Sequence, residues 1–239
     1  MSASRSLTAN ARPSLTMHLT RFLQFLTGCA AILVAQSATA ASSSWNVDAN
    51  GNWATVANPP WYAALVPGST SSTTNTDVAT FGFTLTLDRT VTVDANRNLR
   101  GITFSNTSTN KYTLSGGRLL LTNGGVIQTA AGNGDHTDTI STAMVIEGDG
   151  GSATFTAGAT SAASTLSIGA VTGVATGANT TTLTLNGDNV GENAVTGVIG
   201  NGTGGGKVAL TKSGNGIWNL AGNNTFSGQL TVAQGILKV

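Results

Sequence analysis

Few residues in this sequence are of types that carry chemistry, and three of them share one turn. Gly132-Asn133-Gly134-Asp135-His136-Thr137-Asp138 holds a histidine between two carboxylates. Asp135, His136 and Asp138 could together meet a divalent cation through imidazole nitrogen and carboxylate oxygen. Their spacing matches no ligand signature, and polar turns carry Asp and Asn to satisfy their own backbone. Glu147-Gly148-Asp149-Gly150-Gly151 resembles one turn of a calcium-binding nonapeptide coil, but it lacks the repetition such a coil needs and reads as a plain corner. Asp88 and Asp94 share parity on one extended run, as the two carboxylates of a glycoside hydrolase or polysaccharide lyase would. Six residues of strand separate them by about 20 Å, too far to flank one glycosidic bond. The chain has one cysteine and two histidines, and no nucleophile stands beside a base. The expectation is therefore no catalytic residue, no metal site, no cofactor and no enzymatic activity.

The start of the chain reads as a targeting segment. Arg5, Arg12, His18 and Arg21 precede an apolar run from Phe22 to Ala35, and Ala38-Thr39-Ala40 supplies small residues at the A-x-A positions. This predicts a signal peptide over 1–40, cleaved before Ala41; a start at Met17 gives a positively charged region of more ordinary length. The apolar run falls short of the roughly 18 residues of a membrane span. Leu26-Thr27-Gly28-Cys29 resembles a lipobox, but Ala30 to Ala35 is apolar where a lipidated protein carries a polar tether, so ordinary cleavage is preferred to lipidation of Cys29. Cleavage leaves no cysteine, as suits a protein that crosses an oxidising compartment without disulfides. It also removes three of the eleven basic residues, leaving eight against ten acids, a net charge near −2. With no basic stripe, nucleic acid is excluded as a partner.

Beyond the leader, the pattern is that of an ordered β protein. Charged residues are only 9% of the chain and hydrophobic ones 40%, while 39 threonines outnumber even the 31 glycines. Residues 41–82 hold Trp45, Trp53 and Trp61 with Pro59, Pro60 and Pro67, followed by a Ser-Thr-rich stretch over 69–76. A solenoid needs an atypical end to protect its first strand edge, so 41–82 is assigned as an N-terminal cap plugged by the three indoles. A sugar-stacking platform is the alternative for these rings. Over 83–206, apolar residues alternate in bursts: Phe83, Leu85 and Leu87; Val91 and Val93; Leu99, Ile102 and Phe104; Tyr112 and Leu114; Leu119 and Leu121. Asp94-Ala95-Asn96, Ser115-Gly116-Gly117 and Asn123-Gly124-Gly125 read as corners. No stretch has helical spacing, which excludes α/β folds. From Ile140 to Leu185 the apolar residues become smaller, and Gly197 to Gly206 reads as a surface loop of low stability.

Residues 207–239 state the pattern most clearly. Val208 and Leu210, Trp218 and Leu220, Leu230 and Val232, and Leu237 and Val239 are apolar bursts expected to face inward, separated by Gly- and Asn-rich corners. Leu210, Thr211, Lys212, Gly214, Gly216, Trp218, Leu220, Gly222, Asn224, Thr225, Phe226, Gly228, Thr231, Val232, Gly235, Leu237 and Val239 give this stretch a close resemblance to the autotransporter-associated β-strand repeat. Trp218 stands where that family usually has Leu, and Gln229-Leu230 where Gly-Thr is common. Trp45 to Trp53 with Asp77 to Phe81 also resembles the start of mature passengers that carry this repeat. The resemblance implies a right-handed parallel β-helix, or β-solenoid, in an exported passenger region. The expected function is a structural, adhesin-like passenger or stalk fragment at the cell surface or secreted, with extracellular glycans or proteins as partners. Export machinery, and further repeats or a translocator domain if the chain is a fragment, complete the expected partners. A carbohydrate-binding or carbohydrate-degrading β-helix and an antiparallel β-sandwich module remain as alternatives.

Overall fold

The structure, a computed structural model, describes residues 41–55 and 60–239. The predicted leader, its cleavage point, Cys29 and Pro59 lie outside the described residues. Ala40–Val239 forms one compact unit.

Short bursts of Val, Leu, Ile and Thr favour extended backbone, and corners of Gly, Asn and Asp turn the chain before any burst can pair with its predecessor. Each strand therefore pairs with the one a full coil earlier and runs parallel to it. Three faces result. The first stacks Ser43–Ser44, Val78–Phe81, Arg97–Phe104, Arg118–Thr129, Ser152–Ala157, Thr180–Asn186, Lys207–Lys212 and Leu230–Val232. The second stacks Gly51–Asn52, Arg89–Val93, Tyr112–Gly116, Thr137–Ile140, Thr165–Ile168, Asn193–Val195, Ile217–Leu220 and Ile236–Lys238. The third is built from the leading halves of Arg97–Phe104 and Arg118–Thr129, then Ala143–Ile146, Val171–Gly173 and Ile199–Gly200. All of these pairings are parallel, as an all-β solenoid requires and an antiparallel sandwich does not. A 3-10 turn at Tyr62–Ala64 is the single helical element among the described residues.

Register holds although coil length does not. Ala79, Ile102, Ile127, Phe155, Leu185, Lys212 and Val232 occupy equivalent positions in successive coils. The step from Phe155 to Leu185 spans 30 residues and that from Lys212 to Val232 only 20. Variation is absorbed at the corners, where Asn96 and Gly116 take positive φ values of 58° and 96°. Within Arg118–Thr129, residues 122–125 form a corner opposite a single residue, Arg100, of the preceding coil.

The interior is a column of apolar side chains running from Trp45 to Leu220. At its first end Trp45, Trp53 and Trp61 are buried around Phe81, with Trp53–Trp61 centroids 4.8 Å apart and Phe81–Phe104 5.5 Å apart. Trp61 Nε1 donates to the Trp53 carbonyl at 2.8 Å and Trp53 Nε1 to the Pro67 carbonyl at 3.0 Å. These indoles point into the protein and offer no face to a sugar.

Several inward assignments from the alternation fail. Phe83 and Leu87 are exposed because residues 82–88 leave the coil between two strands, and only Leu85 reaches the core. Leu230, Val232 and Val239 are exposed because no described coil stacks on the last strands, while Leu237 is half-buried. Trp218 and Leu220 are buried as expected. Gly197–Gly206 is not simply a loop: Ile199 and Gly200 are buried and pair with Val171 and Thr172, while Val198 and 202–205 are exposed. Gly202 has φ 81°, and a Cβ there would land on the Gly173 carbonyl of the coil below. The glycines permit contact between backbones.

Candidate functional site

The structure disperses most of the acids that sequence reasoning weighed. Asp88 is exposed, with Lys111 Nζ 3.9 Å away, and Asp94 pairs with Arg97 at 2.5 Å. The two flank opposite ends of Arg89–Val93 and engage different cations, so they do not share a reaction centre. Asp149 accepts from the Thr176 amide at 2.8 Å, from its hydroxyl at 3.0 Å and from Asn179 Nδ2 at 2.8 Å. The two Thr176 bonds lead in holding its carboxyl below the usual range, and the group serves to tie one corner to the next. Asp48 plays the same part near the first coils: hydrogen bonds from Arg89 and Thr86 hold it at about 2.

His136 and Asp138 do meet, but inside the protein. His136 Nε2 lies 3.0 Å from Asp138 Oδ2, and His136 Nδ1 lies 2.9 Å from the Ser108 carbonyl. Asn133 Nδ2 donates to Asp138 Oδ2 at 3.0 Å and to Ser164 Oγ at 3.1 Å, while Asn133 Oδ1 has no partner. Asp138 Oδ1 accepts the Tyr112 amide at 2.9 Å. All four polar side chains are buried, whereas Asp135 is exposed and takes no part. Among the described residues no three His, Cys, Asp or Glu side chains converge on a possible ion position. Both imidazole nitrogens face oxygen acceptors, with Asn133 Nδ2 a longer 3.4 Å from Nε2, so a proton on each nitrogen serves both acceptors. Burial opposes that charge, but the hydrogen bond and charge of Asp138, with the Ser108 carbonyl and the more distant Asp88, raise His136 above the ordinary histidine value.

Asp138 belongs to a pattern. The inward column of face two runs Tyr112, Asp138, Leu166, Asn193, Trp218, Leu237. Asn193 Oδ1 accepts the Leu166 amide at 3.0 Å just as Asp138 serves Tyr112. Each inward polar residue thus caps a strand-entry N–H of the coil below, a buried donor that would otherwise be unsatisfied. Lys212 is an inward polar residue of the opposite kind, a donor that serves backbone carbonyls. Fully buried in the slot held by Leu185 one coil earlier, it sends its ammonium to the carbonyls of Ser213 and Gly214, both 2.8 Å, and of Gln234, 3.2 Å, in the next corner.

Two surfaces are open to contact. On face one, Thr154, Thr184, Thr211 and Thr231 follow one another along a single outward column, one per coil. On face three, a groove of about 660 Å³ is lined by the apolar Leu120, Val145 and Val174, by Arg118, Glu147 and Asn96, and by the Ser-Thr segment Thr70–Thr73. Arg118 is held by Asn96 Oδ1 at 2.6 and 2.9 Å. Burial raises the Glu147 carboxyl against the pull of Arg118. The groove was invisible in the sequence because the Thr70–Thr73 segment precedes Leu120, Val145 and Val174 by some 50 to 100 residues. The threonine column is prefigured only by composition.

Residues 210–239 match the passenger-associated transport repeat family. The chain is 45% identical over 58 residues to the Adhesin BmaC autotransporter of Brucella suis biovar 1 (strain 1330). That match covers 24% of this chain and 2% of the relative, so the chain spans a small fraction of that protein's length. No solved structure matches the chain. In the fold, the matched segment is one 20-residue coil step, Lys212 to Val232, with the strands on either side. Asn224 Oδ1 accepts the Ile199 amide at 2.8 Å, and Phe226 packs against the core. Residues 210–239 therefore resemble a passenger-associated transport repeat, and they fold as coils of a parallel β-solenoid.

Proposed function

We propose that this chain is an adhesin-like passenger segment that displays a β-solenoid surface at the cell surface or in the medium of a bacterium. The observation that carries this reading is the repeat at 210–239, shared in kind with autotransporter passengers and continuous with the coils before it. Three faces of hydrogen-bonded strands bury a continuous apolar column and present threonine outward, which suits display without chemistry. The segment works without catalysis. Its contact surfaces are the threonine column of face one and the groove of face three, and its partners are extracellular glycans or proteins. Residues 1–40 direct export and are removed between Ala40 and Ala41, and a translocator domain elsewhere in the passenger system carries the product outward.

The test is localisation in the native bacterium. An epitope placed at the exposed Ala162–Ala163 corner should be labelled on intact cells or recovered from the medium, and adhesion to glycan- or protein-coated surfaces should fall when the coding sequence is deleted. Retention of all labelled protein in the cytoplasm would refute the reading.

A further inference from the structure

Asp77 is a carboxylate with almost no exposure, 4%, at the entry to the strand Val78–Phe81. A buried carboxylate is expensive unless a cation or several donors compensate it. None of the ion pairs among the described residues involves it. Its partners are backbone nitrogens: Gly68 N donates to Oδ2 at 2.8 Å and Ala41 N to Oδ1 at 2.6 Å. Around this contact the chain is aligned for pairing. Val78 N donates to Ser42 Oγ at 2.9 Å, and Ser43 stands opposite Ala79 at the start of the first parallel pair.

We propose that Asp77 is the seat of the new N-terminus, and that removal of the leader locks the first coil through an ion pair between the Ala41 α-ammonium and the Asp77 carboxylate. The inference rests on the cleavage assigned above between Ala40 and Ala41. Hydrolysis by the export peptidase adds one water across that bond, leaving a carboxylate on Ala40 and an amine on Ala41. Before the cut, Ala41 N is an amide, a neutral donor with one hydrogen. Afterwards it is an amine of ordinary pKa near 8, cationic at neutral pH. The nitrogen already lies within reach of Oδ1, so the gain in charge needs no rearrangement. The buried carboxylate then acquires the cation that no side chain supplies. A neighbouring cut, even one residue away, would place the amine out of register with Asp77.

The experiment uses the full chain with a protease recognition sequence inserted directly before Ala41, melted before and after the cut. At pH 6.5 cleavage should raise the melting temperature by about 5 °C, the scale of one charge-assisted bond in a domain of this size. The gain should vanish near pH 10, where the amine is neutral, and in Asp77→Asn, which keeps an acceptor for Gly68 but removes the charge. No gain on cleavage, or an equal gain at both pH values and in the variant, would overturn the ion pair. N-terminal sequencing of the natural exported protein is a separate arm. A start at Ala41 is expected, and any other start would overturn the processing step while leaving the melting result to judge Asp77 itself.

Discussion

Raising the pH should loosen the middle of the solenoid through one residue. His136 is the only histidine beyond residue 40, and both its ring nitrogens face acceptors, Ser108 O at 2.9 Å and Asp138 Oδ2 at 3.0 Å. A neutral imidazole has one N–H, so deprotonation must leave one of these acceptors facing a lone pair. The loss is that of one hydrogen bond to a charged group, about 1.5–3 kcal/mol. The folded-state pKa lies above that of the unfolded chain, so the folded state binds the proton more tightly. The contribution is complete below the unfolded value near 6.5 and is lost as pH rises through the folded value. His136→Gln keeps a donor and removes the titration. The assay is urea unfolding of wild type and variant from pH 5.5 to 9. The stability difference should shrink by about 1.5–3 kcal/mol across that range, with one histidine signal titrating late by NMR. Taking the difference cancels every other titrating group. A difference that stays flat with pH, or a single neutral tautomer at pH 6, would refute the reasoning.

Trp218→Ala should destabilise the C-terminal coils by about 3–5 kcal/mol, since a fully buried indole is lost and the Asn186 carbonyl it serves at 3.0 Å is left alone; limited proteolysis near residues 207–239 reports it. Gly202→Ala should lower stability by about 1–3 kcal/mol through clash with the Gly173 carbonyl and a strained positive φ, visible as a lower urea midpoint. Val232→Thr should change stability by less than about 0.5 kcal/mol because the side chain is already half in water, and an unchanged melting curve is the expected record.

How much of this was legible in advance depended on how local the cause was. Val91, Val93, Leu114, Leu210 and Leu220 are buried where a period of two places them, because pleat geometry alone fixes their direction. Phe83 and Leu87 carry the same signal, yet their backbone departs from the coil, and nothing within a few residues marks that departure. Lys212, Asp138 and Asn193 break the pattern in the opposite sense. Their charge or polarity argued for the surface, but each answers a backbone group of an adjacent corner or coil, some 20 to 30 residues away in sequence. A longer separation hides the groove, whose Ser-Thr segment returns to face three through the antiparallel bridge Ser69–Asn98. The repeat at 210–239 was readable because its glycines and asparagines occupy positions where backbones touch, which leaves little freedom for other residues.

The unequal coil lengths have a practical corollary. Lateral alignment is set on the flat sides and slack is taken up at the bends, so ten extra residues between Phe155 and Leu185 disturb no strand pairing. Foreign peptides grafted at an exposed bend such as Ala162–Ala163 would therefore be carried as side branches on an unaltered trunk. The molecule tolerates elaboration at its edges for the same reason that it forbids a single added methyl where its layers press together.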